Sequence, residues 1–260
     1  MIKAVFFDID GTLVSFNTHQ VPQSTIDAIS LLHEKGIKVF IATGRHLHSI
    51  NNLGTLEFDG YITINGGYCT IGKDQVLYKH SIPHKDIELL MSYQEESPDK
   101  AFPCMLVQEN GLYMNFKNDR VKEVLDLLNF PEPPTVPLRE MPEEEVFQII
   151  GFFSEEEEED IMKVLTGCET TRWTPLFTDI IPRGGSKHIG IDKIIEYFGF
   201  TLEETMAFGD GGNDISMLKH VGLGVAMGNA EDQVKEAADY TTTTVDDNGI
   251  MNALKYLKIV

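Results

Sequence analysis

The chain has 260 residues, 42% of them hydrophobic, with 41 acidic against 21 basic side chains and a formal charge of -20. That length and apolar content suit one large folded core or two modest ones. The acidic excess repels nucleic-acid phosphates and anionic lipid surfaces, so neither is an expected partner, and an anionic ligand must rely on a few local cations or a metal.

The opening run IKAVFFD is apolar on both faces of a strand, as in a buried parallel strand, and Asp8 cuts it too short for a secretory segment. A helix over STIDAISLLHEKG follows, then a second buried strand, IKVFIA, ending in TGR, a short helical stretch, and the strand YITI running into Asn65, Gly66 and Gly67. This βαβαβ rhythm predicts a doubly wound, mostly parallel, Rossmann-like α/β sheet with its site at the carboxyl ends of the strands.

The rhythm then changes. YCTIGKDQVLYKHSI predicts a hairpin turning at Gly72, Lys73 and Asp74, and beyond Ile82 the order becomes helix, strand, turn at Asn110 and Gly111, strand, helix. After the proline-rich PEPPTVPLREMPEE come the strand VFQIIGFF, a helix opened by Ser154, and strands near CETTRW and FTDIIP. The run SEEEEED reads as a Ser cap with carboxylates opposite the positive end of a helix dipole, rather than a calcium site. From Gly184 the parallel rhythm resumes through SKHIGIDKIIEYFG, TMAFGD, NDISMLKHVG, GLGVAM, a helix after Gly228, and a closing strand and helix ending at NGIMNALKYL. The predicted organisation is a discontinuous core, 1–81 and 184–260, with an inserted α+β domain, 82–183. Three scattered cysteines without CxxC spacing argue against a disulfide framework or zinc site and fit a reducing cytoplasm. No stretch approaches the ~18 apolar residues of a membrane span.

Asp8 and Asp10 leave the first strand one residue apart, and GDGGND places Asp210, Asn213 and Asp214 at another strand end. Neither run is a calcium loop of EF-hand type, because Leu13 and His19, then Ile215 and Val221, stand where that loop needs Gly and Glu. At least three carboxylates at strand ends are costly unless a cation sits among them, and an oxygen-ligated Mg²⁺ is the natural occupant. Thr43 and the amides around Gly44 could hold phosphate oxygens; Arg45 could assist the anion or pair with a surface carboxylate. GGSK sets Lys187 at a helix start. It is not a Walker A loop, and an ordinary solvated lysine is the simpler reading.

The ordered set DIDGT, TGR, SK and GDGGND resembles the four motifs of the haloacid dehalogenase superfamily, and ITINGG, IIPRGGSK and GDGGNDISML resemble its Cof-type sugar phosphatases. The interval from Asp10 to Thr43 is too short to hold a cap, whereas Thr43 to Lys187 is ample, the arrangement of phosphatases more than of mutases. The resemblance implies that Asp8 attacks phosphorus to form an aspartyl-phosphate, while Asp10 protonates the leaving oxygen and later deprotonates water. It implies Mg²⁺ on the Asp8 carboxylate, the Asp10 carbonyl and Asp210, with Asp214 supporting metal-bound water or Lys187. Lys187 would act beside Asp8, with Thr43, Gly44, Arg45 and Asn213 on the substrate. The implied partner is a small phosphorylated metabolite, hexose or pentose phosphates first. Pyridoxal phosphate or flavin mononucleotide as substrate, a phosphomutase, and a phospho-accepting signalling domain are the alternatives. Oligomeric state is open, a monomer being plausible. Asp179 reads as a contact for sugar hydroxyls or as a turn or surface residue, His46, His48 and His188 as substrate contacts or, more simply, helix-surface residues, and Trp173 as packed within the cap rather than stacked on a sugar.

Overall fold

The computed structural model describes residues 1–127 and 130–260. Of Trp173 only the main chain is described, so the expected packing of its indole lies outside the described residues. The chain forms two compact units, Met1–Lys79 with Ser186–Val260, and His80–Gly185.

In chain order the first part of the discontinuous unit runs β1 (Ala4–Phe7), α1 (Gln23–Glu34), β2 (Lys38–Ala42), β3 (Gly60–Thr63), β4 (Tyr68–Ile71) and β5 (Gln75–Lys79). The inserted unit runs α2 (His84–Glu96), β6 (Cys104–Gln108), β7 (Gly111–Met114), α3 (Asp119–Leu127), β8 (Val146–Gly151), α4 (Glu155–Met162), β9 (Cys168–Thr174) and β10 (Phe177–Pro182). The chain then returns through α5 (Lys187–Phe198), β11 (Thr205–Gly209), α6 (Ile215–His220), β12 (Leu223–Ala226), α7 (Asp232–Lys235), β13 (Tyr240–Thr241) and α8 (Gly249–Tyr256).

The discontinuous unit carries an eight-stranded sheet in the order β13-β12-β11-β1-β2-β3-β4-β5. Every pair from β13 to β3 is parallel, and the β4–β5 hairpin adds two antiparallel strands at the edge. The absence of polar alternation in β1 has a direct cause: Val5 and Phe7 enter one core with α1 and α8 (Ala28, Ile29, Leu32, Ile250, Leu254), while Ala4 and Phe6 enter another with α5 and α6 (Ile191, Ile194, Met217, Leu218). A strand with helices on both faces must be apolar at every position. β1 stands where the order reverses, with β2 on one side and β11 on the other, and that reversal opens a crevice at the strands' carboxyl ends.

The inserted unit is a five-stranded sheet, β7-β6-β8-β10-β9, antiparallel throughout. Cys104, Leu106, Ile149 and Ile180 pack with Ile87 and Leu90 of α2 and Ile161 of α4, and Met105 and Phe177 join Val121 and Val124 of α3 in a second cluster. α4 begins as its sequence implies, with Ser154 and Glu157 closing a capping box. Asp179 differs from its expectation: it is neither in a turn nor on the surface but buried in the middle of β10.

Two elements are shorter than predicted. Between β2 and β3 a single 3-10 turn, Leu47–Ser49, forms, and the loop that continues from it packs Leu47, Ile50 and Leu53 against the core without extending the helix. His46 opens that turn as its N-cap, accepting from the His48 amide at 3.2 Å, and is buried rather than surface-borne. The helix from Asn213 starts as a 3-10 turn, Gly212–Asp214, before α6. Among the described residues no helix is long and apolar enough to cross a membrane.

Candidate active site

The site is built from loops that leave β1, β2, β3 and β11 at their carboxyl ends, joined by the first residue of α5. Lys187 is 1% exposed, so the solvated reading of this lysine is overturned. Its Nζ donates to Asp8 Oδ1 at 2.7 Å and to Asp214 Oδ1 at 2.5 Å. Burial alone would make the ammonium easier to deprotonate, but Asp214 and Asp8 outweigh it and raise its pKa, so Lys187 stays charged.

Asp8 has a pKa raised to about 7, chiefly by burial and further by Asp214 and Asp10, with Lys187 opposing. Asp210 is raised well above the ordinary carboxylate range by burial and by Asp8 and Asp214, despite the hydrogen bond it accepts from Thr12 Oγ1 at 2.7 Å. Asp214 does more than support the lysine. Its Oδ2 accepts the amides of Asp210 and Gly211 at 2.9 and 2.8 Å, which fixes the GDGGND turn.

Ligand oxygens of Asp8, Asp210 and Asp214 all lie within 4.8 Å of one another. Among the described residues Lys187 is the one ammonium hydrogen-bonded into this trio, and it meets Asp8 and Asp214 but not Asp210. Three closely spaced acids with a single buried cation leave a deficit of positive charge, and the raised pKa values of Asp8 and Asp210 express it: each holds a proton more readily than a solvated carboxylate. An all-oxygen donor set with surplus negative charge fits a hard divalent cation such as Mg²⁺. Asp8 and Asp210 are its best holders, because Asp214 is already committed to Lys187 and two amides.

The Asp10 side chain is turned to Arg45, whose Nε and Nη2 reach its two oxygens at 2.7 Å each. Of the two readings open for Arg45, the structure places it on a carboxylate, and on one within the motif rather than elsewhere on the surface. Thr43 is buried and its Oγ1 accepts the Arg45 amide at 3.1 Å. A methyl group on Gly44 would crowd the Asn65 side chain at 3.2 Å, and Asn213 Nδ2 donates to Asn65 Oδ1 at 3.0 Å. Thr43, Gly44 and Asn213 are thus gathered around Asn65.

In the sequence Asn65 stands out only as part of a turn. It follows Ile64 in a left-handed pair, φ 53° for Ile64 and 49° for Asn65, and their amides donate to Arg45 O and Thr43 O at 3.1 and 3.0 Å. A β-branched residue in that region is strained, and the strain ties the β3 loop to the β2 loop. Gly66 completes the loop at φ 93°, where a Cβ would stand 2.1 Å from Ser186 O, so the approach to the start of α5 requires glycine. Thr12 and Asn229 are the other residues not assigned from sequence: Asn229 Nδ2 donates to Gly11 O at 2.9 Å and to Asp210 Oδ2 at 3.2 Å. A clue to Asn229 is its place: like Asp8 and Asp210, it follows a parallel strand, β12.

Fold and centre together define the class, a Rossmann-like α/β enzyme core with an acidic, metal-ready site where the strand order reverses. Residues 5–254 match the model of the haloacid dehalogenase-like hydrolase family, and the chain belongs to that family, as its four motifs implied. It is 36% identical to the putative phosphatase YkrA of Bacillus subtilis, across 99% of this chain and 98% of that one. Among solved structures it is similar to the subclass IIB sugar phosphatase BT4131, at 47% identity and a TM-score of 0.92 over 99% of this chain and 100% of the other. It is also similar to the phosphatase BT1666 of Bacteroides thetaiotaomicron, at 40% identity and a TM-score of 0.93 over 100% and 96% of the two chains. The insertion between Thr43 and Lys187 places the chain in the Cof-type, subclass IIB branch.

Proposed function

We propose that this protein is a Mg²⁺-dependent phosphatase of small phosphorylated metabolites, hexose and pentose phosphates first, that works through an aspartyl-phosphate on Asp8. The observation that carries this reading is the buried Lys187 bridge: a strand-end carboxylate held in place by an ammonium that would also face the phosphoryl group. The likeness to a sugar phosphatase supports the choice of sugar phosphates.

Asp8 attacks phosphorus in line, forming an Asp8–phosphorus bond as the bond to the leaving oxygen breaks. Asp10 gives its proton to that oxygen and is left as a carboxylate. Water then attacks the phosphoryl group, passes a proton to Asp10, and releases inorganic phosphate with Asp8 restored. General acid–base help of this kind is worth roughly 10²–10⁴ in rate. In this structure Arg45 holds the Asp10 carboxylate at both oxygens, so Asp10 must turn out of that contact to carry a proton to the leaving oxygen. Lys187 keeps Asp8 oriented and adds positive charge beside it, while Asp214 holds Lys187. Thr43, the Gly44 amide and Asn213 bind the phosphoryl oxygens, with Asn65 positioning Asn213. Mg²⁺ held by Asp8, Asp210 and the Asp10 carbonyl would screen the charge between nucleophile and phosphate dianion.

The test is phosphate release from a panel of hexose, pentose, polyol and cofactor phosphates, with Mg²⁺ and with chelator. Turnover of sugar phosphates that depends on Mg²⁺ is the expected result. Transfer of the phosphoryl group to a second sugar without phosphate release would instead establish a mutase.

A further inference from the structure

The loop after β1 carries one side chain that the mechanism leaves unused. Phe16 is 52% exposed, whereas Leu13, Val14 and Ser15 before it are buried. The loop does not leave the ring to chance. Gly11 N–H donates to Val14 O at 2.8 Å, and Ser15 Oγ accepts the amides of Asn17 and Thr18 at 3.0 and 3.2 Å.

The ring stands close to the acids. A methyl group placed on Gly11 would lie 2.5 Å from Phe16 Cε2 and 2.1 Å from Asp210 Oδ2, so ring edge and carboxylate face one another across a bare backbone. Gly11 has φ 84°, a conformation that favours glycine, and its missing side chain is what lets the ring approach. About half of the Phe16 surface is in water beside a group of carboxylates, so the residue gains little from burial in the protein. Apolar walls with a few convergent polar groups are the composition of a small-molecule site, and here the polar groups are those of the proposed phosphatase centre.

We infer that Phe16 is a specificity-determining residue: its ring forms an apolar wall for the leaving group, and it favours phosphomonoesters whose leaving group is closed into a ring over open-chain polyols. A cyclic sugar presents a flat face of C–H groups that can cover the phenyl ring, whereas a flexible polyol must first be ordered to do so. The inference rests on the phosphatase reading.

The experiment compares kcat/KM for glucose 6-phosphate and for its open-chain counterpart sorbitol 6-phosphate, both with Mg²⁺, in the intact protein and in Phe16→Ala, Phe16→Leu and Phe16→Trp. The intact protein should favour the cyclic ester by about tenfold, in line with one aromatic contact. In Phe16→Ala that ratio should fall toward one, with Phe16→Leu between and Phe16→Trp retaining the preference. No preference in the intact protein, or an unchanged ratio in Phe16→Ala, overturns the role of Phe16 while the phosphatase stands. No turnover of any ester in the wider panel overturns the phosphatase reading itself, and the inference with it.

Discussion

Arg45 grips Asp10 at both carboxylate oxygens, with its planar fork matched to the planar acceptor. The same arginine is fixed from behind, since its amide donates to Thr43 Oγ1 and its Nη1 to Ser49 O at 3.3 Å. A group proposed to deliver and collect a proton is thereby held by the β2 loop between turnovers, and must leave Arg45 to act. Arg45→Met should lower kcat by about ten- to a hundredfold, a fraction of the whole acid–base contribution. Arg45→Lys should recover little of it, because a point charge cannot replace two parallel hydrogen bonds. A series of esters with graded leaving groups checks the assignment: the loss should be largest for the poorest leaving group.

Lys187→Met removes an ammonium that contacts both Asp8 and Asp214, all three being buried. Truncating one partner of such a pair costs about 3–5 kcal/mol, because the remaining charges stay buried without compensation. Urea denaturation should show a loss of that order, together with loss of turnover. Equal stability in the variant would mean that the acids are neutral in the native state.

Asp8 supplies a pH dependence with a defined sign. Its pKa is raised from 3.8 to about 7, so the native state binds a proton that the unfolded chain releases. That contribution to stability is complete below 3.8 and is lost as the pH rises through about 7. Without divalent ions, the protein should therefore melt at a lower temperature near pH 8 than near pH 5, and Asp8→Asn should flatten the difference. Mg²⁺ competes with the same proton, so its stabilising effect should grow across that window. Scanning calorimetry with chelator and with Mg²⁺ reads both trends.

Asn65 separates a backbone role from a side-chain role. Asn65→Gly keeps the left-handed conformation and removes the acceptor used by Asn213, so it should fold normally but bind substrate more weakly. Asn65→Ala adds roughly 1–2 kcal/mol of backbone strain. Thermal melts and KM values for the pair distinguish the two.

The parallel core was legible because β1, β2 and β11 are buried on both faces and leave apolar runs without alternation. The carboxylate clusters were legible for a related reason: charge following such a run stands out. Lys187 was not. A lysine opening a helix looks solvated, and it is buried because Asp8 and Asp214 reach it from distant strands. Asn65, Thr12 and Asn229 escaped likewise, since each bonds to a loop from another strand and no sequence period records such a contact. Asp179 reads from sequence as a sugar contact or a turn or surface residue, because a carboxylate in the strand FTDIIP gives no sign of the β8–β10–β9 pairing that encloses it.

The central claim is that Asp8 becomes covalently phosphorylated. Asp10→Asn, which should slow hydrolysis of the acyl phosphate, is mixed with substrate and Mg²⁺, quenched in acid, digested, and its peptides are analysed by mass spectrometry. A phosphoryl group on the peptide containing Asp8, removed by hydroxylamine and absent when Asp8 is also replaced by Asn, is the predicted result. Undiminished phosphate release by Asp8→Asn, with no phosphopeptide at any quench time, would contradict it.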